Sequence, residues 1–255
     1  MAEILRTEHL CVNFSGLKAV DDVSLSIQDD EIMGIIGPNG AGKTTFFNAI
    51  TGFRAPTSGD VYFRGEKMTK ENTARYCERG VARTFQNIRT FSEMTVLENV
   101  LVGMHKTMKA SLMEILLKTK KQQAEEKAAH EKAFEILNFL EIEDVAQELS
   151  GSLPYGTQRK VEVARALASD PKFLLLDEPT AGMNPQETDD LMHLVAKIRQ
   201  RGPAVTVIEH NIGFMVSLCD RIAVLNFGRL LDLDTPEKVA SNPEVIKAYI
   251  GEEDD

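Results

Sequence analysis

Residues Gly37-Pro38-Asn39-Gly40-Ala41-Gly42-Lys43-Thr44 match the pattern G-x-x-x-x-G-K-[ST] at every specified position. They follow a short apolar run, Ile32-Met33-Gly34-Ile35-Ile36, and lead into a segment with helical character. A loop of this kind demands a buried strand to deliver it and a helix to leave from it, so the motif constrains the fold as well as the chemistry. Gly37, Gly40 and Gly42 let backbone N–H groups close around phosphate oxygens without Cβ clashes. Lys43 adds a positive charge, and a helix beginning near it aims its partly positive N-terminus at the same anion. Thr44 offers a hydroxyl to a magnesium ion bridging the phosphates, while Pro38, Asn39, Ala41 and Thr45 complete the cradle. The chain is expected to hold a nucleoside triphosphate.

At 255 residues, with 43% apolar and 27% charged content, the chain has the composition of a globular protein and can bury one large core or two small lobes. No apolar run reaches the roughly 18–20 residues that a bilayer-spanning helix needs, and residues 1 to 20 lack the basic start and continuous apolar stretch of a signal peptide. A cytoplasmic location is expected. Cys11, Cys77 and Cys219 are too widely spaced for a metal cluster and are read as buried packing residues. A net charge of −10 argues against broad nucleic-acid binding, so no nucleic-acid partner is expected.

Residues 3 to 10 and 21 to 27 alternate apolar with polar, which predicts half-buried antiparallel strands, and Asp60-Val61-Tyr62-Phe63 is assigned to the same sheet. Ile32 to Ile36, Phe173 to Leu176 and Ala204 to Ile208 are nearly continuous apolar runs, as parallel strands covered on both faces require. Between Gln86 and Leu153 the pattern turns helical: Leu112, Ile115 and Leu116, then Ala133, Ile136, Leu137 and Leu140, recur at helix spacing. This predicts an inserted helical lobe whose stretch from Lys118 to Lys132 is a solvated face.

Two further strand ends carry chemistry. Phe173-Leu174-Leu175-Leu176 runs into Asp177-Glu178; Asp177 is positioned to hold the magnesium shell and Glu178 to accept a proton from the water that attacks the γ-phosphate. Val205-Thr206-Val207-Ile208 runs into Glu209-His210, where His210 can contact the γ-phosphate and orient that water.

Taken together, these motifs resemble the nucleotide-binding subunits of ATP-binding cassette (ABC) transporters, from Phe14 to about Gly251. The resemblance implies an α/β fold: a P-loop NTPase (RecA-like) core with an antiparallel β subdomain and an inserted α-helical subdomain. In domain terms it implies one ABC ATPase domain over 1–255, with the nucleotide-binding core in 1–86 and 160–255 and the helical subdomain with its signature motif in 87–159. It implies an ATP hydrolase using ATP and Mg2+. Phe14, with Ala19, corresponds to the aromatic platform for adenine. Gln86, in Arg83-Thr84-Phe85-Gln86, corresponds to the glutamine that reaches magnesium and the attacking water. Tyr155 and Gly156, in Leu153-Pro154-Tyr155-Gly156-Thr157, stand where the signature contacts nucleotide held by the opposite subunit. The catalytic set is then Glu178, His210 and Gln86, and the metal set is Thr44, Gln86 and Asp177.

The signature departs from Leu-Ser-Gly-Gly-Gln at Pro154, Tyr155 and Thr157, and Asn184 stands where the family carries an aspartate. Leu149-Ser150-Gly151 reads like a signature but lies too far from Arg165-Ala166-Leu167. Arg83 to Arg89, Met94 to Asn99 and Ala181-Gly182-Met183-Asn184-Pro185 resemble the Liv-type ATPases of branched-chain amino acid importers. That resemblance implies a homo- or heterodimer with a second ABC ATPase subunit, on the inner face of the cell membrane. It also implies transmembrane permease subunits docked through Thr90, Phe91 and the helical lobe, and a substrate-binding protein that delivers cargo. An ABC ATPase for urea, amides or lipid export, or a soluble ABC protein, is the alternative.

Overall fold

The computed structural model describes residues 2–106 and 119–250. It divides into two compact units, Met1–Arg83 with Lys172–Asp255, and Thr84–Pro171.

The first unit holds two sheets. Strands β1 (Glu3–Phe14), β2 (Leu17–Gln28), β4 (Ser58–Phe63) and β5 (Glu66–Lys67) form an antiparallel sheet in the order β2-β1-β4-β5. The second sheet, in the order β10-β9-β3-β8-β7-β6, comprises β3 (Ile32–Ile36), β6 (Val81–Arg83), β7 (Phe173–Asp177), β8 (Ala204–Ile208), β9 (Arg221–Asn226) and β10 (Arg229–Asp234). Among the described residues, the only antiparallel pairing in this sheet is β9–β10. All residues of β3, β7 and β8 are buried, which accounts for their nearly continuous apolar sequence, broken only by Thr206 and the terminal Asp177.

Helices α1 (Lys43–Ile50), α2 (Thr73–Arg79), α6 (Pro185–Gln200), α7 (Ile212–Leu218), α8 (Pro236–Ser241) and α9 (Pro243–Ile250) complete this unit. Phe46, Phe47 and Ile50 of α1 share one core with Leu5, Val12 and Val61 of the antiparallel sheet and with Ile35, Phe173 and Leu175 of the parallel one. That shared core anchors the helix following the glycine loop.

The second unit is helical: α3 (Val96–Gly103), α4 (Lys120–Phe139) and α5 (Tyr155–Ala168). Thr95 and Glu98 close a reciprocal capping box at the start of α3. On α4, the buried residues are Ala133, Ile136 and Leu137, while Lys120 to Lys132 is exposed or half-buried, as a solvated face requires. Leu112, Ile115, Leu116 and Lys118 lie outside the described residues. A Cβ at Gly103 would drive into the Arg165 carbonyl, so α3 and α5 pack with their backbones close.

Three features differ from the sequence reading. The second unit begins at Thr84 and runs to Pro171 rather than spanning 87–159, because α5 continues as one helix through Ala168. Strands β5, β6, β9 and β10 were not anticipated. Of the cysteines only Cys219 is buried, its thiol pushed up to about 12 by desolvation; Cys11 is half-buried and Cys77 exposed, since Cys77 falls on the outer face of α2.

Candidate functional site

Strand β8 lies between β3 and β7, and the register aligns their ends: Ile208 pairs with Ile35 on one side and with Asp177 on the other. The loops leaving these three strands therefore emerge together at the carboxyl edge of a parallel sheet, the location where such sheets bind ligands. They carry the glycine loop, Asp177-Glu178 and Glu209-His210.

Within the glycine loop, Gly37 and Gly42 have φ values of 151° and 97°. A Cβ at Gly37 would collide with the Leu225 carbonyl, and one at Gly42 with the Ala19 carbonyl. The loop is thus wedged between β9 and β2, and no larger residue fits. Lys43 Nζ donates to the Gly37 and Pro38 carbonyls at 2.6 and 2.9 Å. Helix α1 starts at Gly42 with no side-chain cap and no acid in its first turn, so nothing anionic competes for its first amides.

An open cleft of about 640 Å³ lies over this loop. Asn39 through Thr45 line it together with Phe14, Leu17, Lys18, Ala19, Glu178 and Phe227. Phe14 ends β1 just before the Ser15-Gly16 hairpin turn and pairs with Leu17. Its ring is 39% exposed, and the Arg54 guanidinium lies 3.8 Å from its centroid. An exposed ring beside a basic, amide-rich loop offers a flat apolar surface for a heterocycle.

Asp177 is the last residue of β7, and its Oδ2 accepts from Arg83 Nη2 at 2.6 Å. Glu178 then breaks from the strand with φ 44°, a left-handed conformation that costs a non-glycine residue about 1–3 kcal/mol and concentrates at functional positions. Its amide is held by the Ile208 carbonyl at 2.9 Å. Glu209 is fully buried and ties the next loop down: Thr180 donates its amide at 2.8 Å and its hydroxyl at 2.5 Å to Oε1, and the His210 amide reaches Oε2 at 3.2 Å. The His210 ring, 63% exposed, is carried on this clamp.

Thr44 and Asp177 supply a hydroxyl and a carboxylate, the hard oxygen donors magnesium takes alongside phosphate oxygens. Among the described residues no group of three or more His, Cys, Asp or Glu could hold a metal alone. The donor set fits an ion bound mainly through a nucleotide's phosphates.

Gln86, Tyr155 and Gly156 belong to the second unit. The backbone around Gln86 is braced by a buried pair on α5: Arg159 donates to the Phe85 and Gln86 carbonyls at 2.6 and 2.8 Å and to Glu162 at 2.8 Å. Glu162 in turn accepts the Phe85 and Arg89 amides at 3.2 and 3.4 Å. Burial pushes the Glu162 carboxyl above its ordinary range, with Arg159 opposing. Tyr155 and Gly156 form the first turn of α5, where Pro154 is the N-cap and supplies no side-chain bond. Ser150 of the look-alike Leu149-Ser150-Gly151 is fully buried, and Gly151 packs on Ser92. Asn184 caps α6, its side chain accepting the Glu187 amide at 3.0 Å.

Of the residues expected from sequence, Phe14, Ala19, Asn39 to Thr45 and Glu178 share the cleft. Gly37 and Pro38 lie behind it as acceptors for Lys43, while Asp177 and His210 stand at neighbouring strand ends rather than in its wall. Sequence reasoning missed Arg83, Thr180, Glu209, Arg159 and Glu162 as site supports. The one signal for Glu209 was a carboxylate directly following a mostly apolar strand.

Comparison with known proteins agrees with this geometry. The ABC transporter family model matches residues 20–181, and a model for branched-chain amino acid ATP-binding cassette transporters matches residues 234–255. The chain is 43% identical over 250 residues to the high-affinity branched-chain amino acid transport ATP-binding protein BraF of Pseudomonas aeruginosa, covering 98% of each. It is 41% identical, with the same coverage, to the corresponding protein LivG of Escherichia coli. A solved ATP-binding cassette of an ABC transporter in its ADP conformation superposes with a TM-score of 0.86 at 36% identity, covering 98% of this chain and 100% of that one. The chain belongs to the ABC transporter family, as one of its ATP-binding cassettes.

Proposed function

We propose that this chain is the ATP-hydrolysing subunit of an importer for branched-chain amino acids. The observation carrying the reading is the cleft in which the amide-rich loop, Lys43, the start of α1 and the left-handed Glu178 meet. The loop amides and Lys43 hold the triphosphate, and Phe14 stacks on adenine. Thr44 and Asp177, with Gln86 as a further ligand, would hold a magnesium ion, which would offset phosphate charge when bound. Glu178 takes the proton of the attacking water, which His210 orients.

In α5 the Gln158 amide donates to the Pro154 carbonyl, so the amides of Tyr155, Gly156 and Thr157 precede the first intrahelical bond. They point to nucleotide on a second cassette, and closure of the pair completes the site. Pro154 brings no hydroxyl or N–H to this contact, which leaves the amides to make it. Thr90, Phe91 and the helical unit dock the membrane permeases at the cytoplasmic face; Phe91 is exposed. The cargo assignment follows the relatives BraF and LivG and the match over residues 234–255.

Three measurements test this. Lys43→Ala removes charge-assisted contacts to phosphate worth about 1.5–3 kcal/mol, so ATP affinity falls roughly 10- to 100-fold in a direct binding titration. Phe14→Ala removes a stacking surface worth about 1–3 kcal/mol; ATP binding weakens while competition by inorganic tripolyphosphate does not change. For cargo, uptake of labelled leucine in cells deleted for the gene is restored by the parent chain and not by Lys43→Ala. Restoration by both, or by neither, defeats the importer reading.

A further inference from the structure

Arg83 is the last residue of β6 and of the first of the two segments that make up the first compact unit. Its side chain is 6% exposed and that of Asp177 5%, with Nη2 to Oδ2 at 2.6 Å. The other arm of the guanidinium turns the opposite way: Nη1 donates to Asn48 Oδ1 at 2.7 Å and to Thr51 Oγ1 at 3.3 Å. The rings of Phe47 and Phe53 flank the group, with centroids 5.3 and 5.4 Å from Cζ. One planar fork therefore spans from the carboxylate ending β7 to the final turn of the helix that begins at the glycine loop.

A buried ion pair alone is weak grounds for a role, since desolvation cancels much of its attraction. The placement says more. The acid stands immediately before the strained Glu178, and the cation reaching it is anchored on the phosphate-loop helix rather than on a surface element. A carboxylate has about four lone-pair sites, and the guanidinium contact to Oδ2 orients the group by holding one of its two oxygens. Lysine, a point charge on a flexible stem, lacks the planar fork that serves Asn48 and Asp177 through separate nitrogens.

We propose that Arg83 is the positioning residue for Asp177, aiming that carboxylate at the magnesium shell and coupling its aim to α1. This rests on the reading of Asp177 as a magnesium-shell acid, and its effect is on cation use, not on nucleotide grip.

The test is binding of a fluorescent ADP analogue to the intact chain across a magnesium series, with EDTA as the zero point. Arg83→Gln raises the magnesium midpoint about 10- to 100-fold, the range seen when outer partners of metal ligands are lost, and leaves affinity in EDTA unchanged. Arg83→Lys recovers part of the shift. Asn48→Ala, which removes one anchor of the fork, moves the midpoint the same way by less, and it decides the matter if circular dichroism shows Arg83→Gln unfolded. An unmoved midpoint in folded Arg83→Gln, or in Asn48→Ala where the former fails to fold, overturns the proposal. So does a lowered midpoint, which would make Arg83 a competitor for the acid. Asp177→Asn separates the two layers: if it too leaves the midpoint unmoved, the magnesium reading of Asp177 fails, whereas a shift there with none in Arg83→Gln removes Arg83 alone.

Discussion

Glu178→Gln binds ATP with the affinity of the parent and loses about 10²- to 10⁴-fold in turnover, the contribution typical of a placed general base. The substitution keeps the side chain's length, its place in the lining of the cleft and the backbone cost of φ 44°. What disappears is the carboxylate: its capacity to take a proton goes, together with its negative charge. Ground-state contacts to the nucleotide come from the loop, α1 and Phe14, none of which changes, so the loss falls on kcat and not on binding. The measurement pairs steady-state hydrolysis in the assembled transporter with nucleotide binding to the same preparation. Normal turnover in Glu178→Gln would remove Glu178 as the base and shift attention to His210.

Arg159→Met destabilises the second unit by about 3–5 kcal/mol, the range expected when one partner of a buried pair is removed. Arg159 is fully buried, and its loss strands Glu162 together with the Phe85 and Gln86 carbonyls that it serves. The effect has a pH signature. Burial already raises the Glu162 carboxyl above its ordinary 4.5, and without Arg159 the rise increases. A carboxyl whose folded value exceeds its unfolded one binds protons more tightly in the folded state, so stability falls as pH climbs from the unfolded value through the folded one. The gap between variant and parent is therefore largest at neutral pH and narrows as pH drops toward 4.5. Denaturant unfolding at a series of pH values reads it, and Arg159→Met combined with Glu162→Leu recovers part of the loss. A single variant costing under about 1 kcal/mol, typical of an exposed pair, would show that the pair does not brace this segment.

The parts legible in the sequence are those where one local rule dominates. The glycine loop declares itself because phosphate binding needs small residues at set spacing, and β3, β7 and β8 do so because burial on both faces leaves them almost wholly apolar. Strand β6 has three residues, too few for any periodicity, and β10 is half-buried with two aspartates in Leu230-Leu231-Asp232-Leu233-Asp234. β9 has an apolar centre, Ile222 to Leu225, but it follows Asp220-Arg221 without a turn signal. The supporting residues were illegible for a different reason. Arg159 and Glu162 sit at i,i+3 on a helix, which reads as a solvent-facing pair, and only tertiary packing seals them from water. Arg83 and Asp177 are 94 positions apart, and nothing local in either segment announces that they meet.

The central place of β8 has a cost for anyone editing the chain. An extra residue in the exposed Arg201-Gly202 turn lengthens a connection at the far end of the sheet and touches neither partner strand. The same residue inserted between Val205 and Ile208 reverses the facing of every later side chain in the strand. Because Ile208 is matched to Ile35 and Asp177 at once, that slip uncouples both neighbours and turns the Glu209 clamp away from Thr180. Tolerance to insertion across these few positions should change from permissive to lethal within a single strand length.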